Sequence, residues 1–177
     1  MVILDMLNWN PLVVYLDTTR LDSLPNWTPR QSGNSPVAWL KKSLKGFLDW
    51  SISRREIKSI LVVPYKTTLS NGYEFRQEKD NATPVINIIN WAMTNDPIYK
   101  ENHWLINKIK VIKIEDLAGI NYHQEHFNLV MKLFPPDIIL TGETTKVWRE
   151  DNTSLVEATR EKELVILFNE QGNPESV

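Results

Sequence analysis

A chain of 177 residues, with 42% hydrophobic and 24% charged residues, has the length of one domain and the composition of a folded one. Its 20 basic and 22 acidic residues leave a net charge of -2, which excludes a protein that coats nucleic acid by bulk charge. With no cysteine there is no disulfide framework, thiol nucleophile or cysteine-ligated metal. No apolar run approaches the roughly 18 residues of a membrane span. The stretch Met1 to Leu7 lacks a basic segment and is broken by Asp5. It does not read as a signal peptide, and the expected location is cytoplasmic.

In chain order, Leu12-Val13-Val14-Tyr15-Leu16 reads as a short buried strand. Asp17 to Asn34, with Pro25, Pro29 and Gly33, reads as a long loop that carries Trp27. A helix is predicted from Pro36 to Ser51. Ser35 suits its N-cap, Pro36 its first position, and Val37, Leu40, Leu44, Phe47 and Leu48 repeat at helical spacing. Ile57 to Tyr65 reads as a strand, with Pro64 placing it at a sheet edge or at its own end. Asn71-Gly72 is a hairpin signal, and Tyr73 to Arg76 alternates as a return strand. Further helices are expected from Thr83-Pro84 to Met93, from Ile98 to Lys108, and from Asn121 to Phe134, the last stopped by Pro135-Pro136. Ile109 to Ile114 reads as a strand. The last third offers strand-like pieces at Ile138–Leu140, Thr145–Trp148, Leu155–Val156 and Leu164–Phe168.

This mixture points to a single α+β domain over residues 1–170: three to four helices on a mixed or antiparallel sheet, strand-rich in its C-terminal third. Residues 171–177 are polar, contain turn formers and read as a flexible tail. One echo connects two strand ends. Leu16-Asp17-Thr18-Thr19-Arg20-Leu21 parallels Gly142-Glu143-Thr144-Thr145-Lys146-Val147, though six positions are too few to establish a repeat.

The 6 glycines form neither a phosphate-binding P-loop nor a dinucleotide fingerprint. His123 and His126 lie three apart around Glu125 and could share a metal ion if His103 or a carboxylate joined them. Two imidazoles alone do not make a site, and no metal or other cofactor is expected. Pro136-Asp137, a short apolar strand, and Glu143-Thr144-Thr145-Lys146 resemble the PD-(D/E)xK nuclease signature over residues 136–146. The resemblance implies that Asp137 and Glu143 would hold Mg²⁺ and that Lys146 would serve the attacking water. The family separates its acid and lysine by two positions, whereas Glu143 and Lys146 are three apart.

Charge and tryptophan are unevenly placed. Lys41, Lys42, Lys45, Arg54, Arg55 and Lys58 face only Asp49 and Glu56 in the same stretch. Such a cluster can contact phosphates, with Trp39 or Trp50 stacking on bases. Lys108, Lys110 and Lys113 form a second patch. There are 7 tryptophans, more than a core of this size requires, and indoles are enriched in binding hot spots. Trp27, Trp39 and Trp50 are candidate partner-binding residues. The leading expectation is a non-enzymatic accessory subunit that binds one or more proteins within a larger assembly. Nucleic-acid contact through the Lys41–Lys58 region and a Mg²⁺-dependent nuclease are the alternatives.

Overall fold

Leu12–Asp17 (β1) lies in the middle of a sheet because its side chains are apolar on both faces. Val14 and Leu16 enter one buried cluster, and Val13 and Tyr15 enter another. A strand buried on both sides needs helices on both sides. The computed structural model describes residues 10–19, 36–67, 72–75, 104–112, 123–160, 162 and 164–177, with backbone alone for 36–41, 74, 75, 106 and 123–126. It is a single α+β domain. Helices α1 (Pro36–Ile52), α2 (His123–Leu133), α3 (Thr145–Asp151) and α4 (Thr153–Thr159) pack on a mixed sheet. The other strands among the described residues are β2 (Ile60–Thr67), β3 (Tyr73–Phe75), β4 (Ile109–Val111), β5 (Ile138–Leu140), β6 (Ile166–Phe168) and β7 (Pro174–Ser176).

The interior of the sheet is parallel. β1 pairs with β2 on one side, Val14 opposite Val62, and with β5 on the other, Leu16 opposite Leu140. β4 joins β2, and β6 joins β5, also in parallel. The antiparallel strands are outermost: β3 returns along the end of β2, and β7 along β6. Across the sheet the parallel strands run β4-β2-β1-β5-β6. This is the order of a doubly wound sheet, in which successive strands leave the centre first one way and then the other.

α1 covers one face. Leu44, Phe47 and Leu48 pack with Val14, Leu16, Val62, Leu140 and Phe168. α2, α3 and α4 cover the other, where Phe127, Val130, Trp148 and Leu155 meet Tyr15, Val63, Tyr65 and Tyr73. Each fully buried large side chain contributes roughly 1.5–3 kcal/mol by leaving water. Trp148 is wholly buried and donates its indole N–H to the Tyr65 hydroxyl at 3.0 Å. α1 also approaches the turn after β6 so closely that a Cβ on Gly46 would lie 2.1 Å from the Gly172 carbonyl oxygen.

Several expectations change. Thr145–Trp148 and Leu155–Val156 are helical: Thr144 caps α3 by accepting the Val147 N–H, and residues 148, 152, 155 and 159 are buried at helical spacing. The break at Asp151-Asn152 divides that pattern into pieces too short to reveal the period. The 171–177 stretch, expected as a loose tail, includes β7 and completes an edge hairpin. Pro64 sits in an interior strand. Ser59 and Tyr65 accept from Leu12 and Thr18 of the β1 side, whereas Val62 accepts from Ile112. Even-numbered residues of β2 therefore point away from β1. Pro64 falls between the last β4 partner, Val62, and the first β3 partner, Tyr65, where β2 changes neighbours. Its missing N–H ends one ladder without breaking another. Within 98–108, the described residues form a turn and a 3₁₀ segment, Ile106–Lys108. The helix expected at 83–93 and the turn residue Asn71 lie outside the described residues, as does most of the loop to Asn34.

Candidate functional site

In a doubly wound sheet, chains leaving two adjacent central strands go to opposite faces and open a crevice above the strand ends. Here those strands are β1 and β5. β1 leads to α1 on one face, and β5 leads to α3 on the other. Because Leu16 pairs with Leu140, Asp17 and Thr141 stand side by side at the carboxyl ends.

Asp17 is largely enclosed but keeps a solvent-accessible edge. Its Oδ1 accepts from the Thr19 N–H at 3.0 Å and from the Thr19 hydroxyl at 2.6 Å. Its Oδ2 accepts from the Thr141 hydroxyl at 3.1 Å. Both hydroxyls are oriented by backbone donors. Thr19 Oγ1 accepts the Thr67 N–H, and Thr141 Oγ1 accepts the Glu143 N–H. Each threonine therefore directs its proton at Asp17. Thr18, fully buried, ties the same turn to β2 by donating its N–H and hydroxyl to the Tyr65 carbonyl.

Burial opposes these hydrogen bonds. Desolvation raises the Asp17 pKa above its ordinary value, and the nearby Asp151 charge raises it further, while the Thr19 and Thr141 donors lower it. The upward terms prevail. The facing phenols respond in turn. Burial, reinforced by Asp17, holds Tyr65 well above its usual value and pushes Tyr73 up to about 12, so both remain protonated.

Two more carboxylates reach this end of the sheet. Glu143 follows β5, and its carbonyl accepts the Glu170 N–H at 3.1 Å. Glu170 follows β6, and its Oε2 is buried without a hydrogen-bond partner. The crest is thus rich in acceptors. Among the described residues, no group of three or more His, Cys, Asp or Glu is placed to hold a metal ion.

The echo noted in the sequence acquires a place here. Asp17-Thr18-Thr19 and Glu143-Thr144-Thr145 are the turns that leave these two adjacent strands. Sequence reasoning missed Asp17 as a site residue, although an acid directly after a strand buried on both faces was a usable signal.

The residues expected to form sites lie elsewhere. Asp137 and Glu143 sit before and after β5, at its opposite ends, so the nuclease-like set is not assembled. Asp137 Oδ2 accepts the Val13 N–H at 2.8 Å, and its Oδ1 pairs with Lys162. Lys146 is exposed on α3. Lys42 and Lys45 are exposed along α1, while Arg54, Arg55 and Lys58 lie in the α1–β2 connection at the amino ends of the strands. Trp50 is partly buried. Trp27 and the side chains of Lys41, Trp39, His123 and His126 lie outside the described residues, as does His103. No protein-family model matches the chain, and neither a curated protein nor a solved structure matches it.

Proposed function

We propose that the protein binds a small, hydroxyl-bearing ligand in the crevice between the ends of β1 and β5, with Asp17 as its acid–base carboxyl. The observation that carries this reading is Asp17, a partly exposed residue at the point where the strand order reverses, its carboxyl desolvated yet fixed by threonines from both flanking turns. A perturbed carboxyl at a topological switch point marks a functional site. The acceptors Asp17 and Glu170 favour a ligand that brings hydrogen-bond donors, such as the hydroxyls of a sugar or ribose. A carboxyl whose pKa is raised can serve such a hydroxyl as general acid or base.

The test is thermal unfolding of the parent and Asp17→Asn proteins with ribose, myo-inositol and adenosine. At a hundredfold excess over its dissociation constant, a ligand stabilises by about 2.7 kcal/mol. That corresponds to roughly 5–11 °C for a domain of this size. The shift is expected in the parent and Thr144→Ala proteins and not in Asp17→Asn. Equal shifts in all three, or no shift with any of these compounds at millimolar concentration, would overturn the reading.

A further inference from the structure

The opposite end of the sheet carries a second constellation. A cleft of about 760 Å³ opens between the amino ends of β1, β5 and β6 and the end of α1. Leu12, Trp50, Ile57, Ile166 and Leu164 give it apolar walls, and Leu164 is 61% exposed. An exposed leucine on the wall of an open cleft is the kind of surface a partner covers.

Cations adjoin the cleft through its lining residues, Arg54 over Trp50 and Lys108 on the Ile57 carbonyl, and the fold joins two patches that are far apart in sequence. The Arg54 guanidinium lies 3.9 Å above the Trp50 ring and donates to the Trp50 carbonyl at 2.7 Å. Arg55 and Lys108, from opposite patches, both sit over Trp104, at 4.9 and 4.6 Å from its centroid. Lys58 lines the cleft beside them. Among the described residues, no carboxylate pairs with Arg54, Arg55, Lys58 or Lys108. Among the described residues, Glu56 is the one acid on the cleft wall without a cation partner, since Asp137 is taken by Lys162. Holding the cations on indole faces removes much of the side-chain freedom that binding would otherwise cost.

We infer that this end of the molecule docks an acidic segment of a protein partner, with an apolar side chain seated in the cleft against Leu164 and carboxylates on the Arg54, Arg55, Lys58 and Lys108 rim. Charge complementarity selects the acidic partner, and the apolar wall selects a protein over a nucleic acid. A phosphate backbone would use the cations and leave Leu164 in water. Among the described residues at this end, the indole faces of Trp50 and Trp104 already carry cations, and Trp50 packs against Phe47 besides. This gives the expected accessory-subunit role a surface, and it is independent of the Asp17 crest.

The test is fluorescence anisotropy of the full chain with three labelled probes. The first is an acidic peptide with a central leucine. The second is the same peptide with serine in its place, and the third is a single-stranded oligothymidylate. The leucine peptide is expected to bind most tightly. It should lose roughly tenfold or more on serine replacement, and as much in Leu164→Asp and in Arg55→Glu/Lys58→Glu proteins. All of those side chains are part- or fully exposed, and circular dichroism verifies the fold of each variant. Tighter binding of the oligonucleotide overturns the inference in favour of nucleic acid. Peptide binding indifferent to Leu164, or absent up to millimolar concentration, also overturns it.

Discussion

Replacing Gly46 by alanine gives a test whose sign separates local from tertiary control. Gly46 lies inside α1, where a solvent-facing glycine-to-alanine change stabilises by about 1 kcal/mol through helix propensity. The structure reverses that expectation. The new Cβ would lie 2.1 Å from the Gly172 carbonyl oxygen and 2.9 Å from its carbon, so the turn would have to retreat by more than about 1 Å to reach ordinary contact. That turn is not free to move. Asn169 Oδ1 accepts from the Gln171 and Asn173 N–H groups, and the Gly172 N–H donates to the Asn169 carbonyl at 2.9 Å. Overpacking costs about 1–3 kcal/mol, and each hydrogen bond strained adds up to about 1 kcal/mol. After the propensity gain, Gly46→Ala should destabilise by about 1–3 kcal/mol and lower Tm by roughly 3–10 °C. Urea and thermal unfolding followed by circular dichroism measure it. Gly172→Ala should destabilise as well, since φ is +81° and its Cβ would meet the Lys42 carbonyl oxygen at 2.4 Å. The double variant should lose less than the sum, because one retreat relieves both clashes. A Gly46→Ala protein more stable than the parent would show that the helix does not approach the turn.

Asp17 makes the stability of the parent depend on pH. Its folded pKa is raised, chiefly by burial, so the folded state holds a proton at pH values where the unfolded chain has released it. Stability should therefore be highest below the ordinary carboxylate range and fall as pH rises through the folded pKa. Asp17→Asn should remove that slope in urea titrations from about pH 4 to 7 and stay within about 1 kcal/mol of the parent at neutral pH; an unchanged slope would show that Asp17 is not desolvated. Trp148→Phe removes the bond to Tyr65 Oη and leaves a void in a fully buried site, and chemical denaturation should register about 2–3 kcal/mol of lost stability. Asp137→Ala orphans the Val13 N–H and leaves the Lys162 ammonium only the Pro135 carbonyl. It should cost about 1–3 kcal/mol by the same assay.

Periodicity made the two longest described helices legible. In α1 and α2 the apolar stripe is long enough to declare itself, and Pro36 and Pro135-Pro136 mark where helices start and stop. β1 was legible for the related reason that both of its faces are apolar. The α+β class follows from that mixture. α3 and α4 escaped because seven-residue helices meeting at Asn152 show barely two turns each. β7 escaped because Pro174–Ser176 is exposed and polar, and only pairing with β6 makes it a strand. What no local pattern contains is strand order. β5 and β6 are three residues each, too short to announce parallel neighbours, and it is their docking beside β1 that sets Thr141 against Asp17 across 124 residues of chain. Sequence neighbours are equally silent at the basic end, where Arg55 and Lys108 become one patch only because Trp104 stands between them. The sequence by itself determined which residues are apolar, charged or turn-forming, and so the longer elements and their buried faces. The tertiary structure alone decided which strand ends meet, because adjacency in a sheet is settled by burying both faces of β1 at once and not by any property of the segments taken singly.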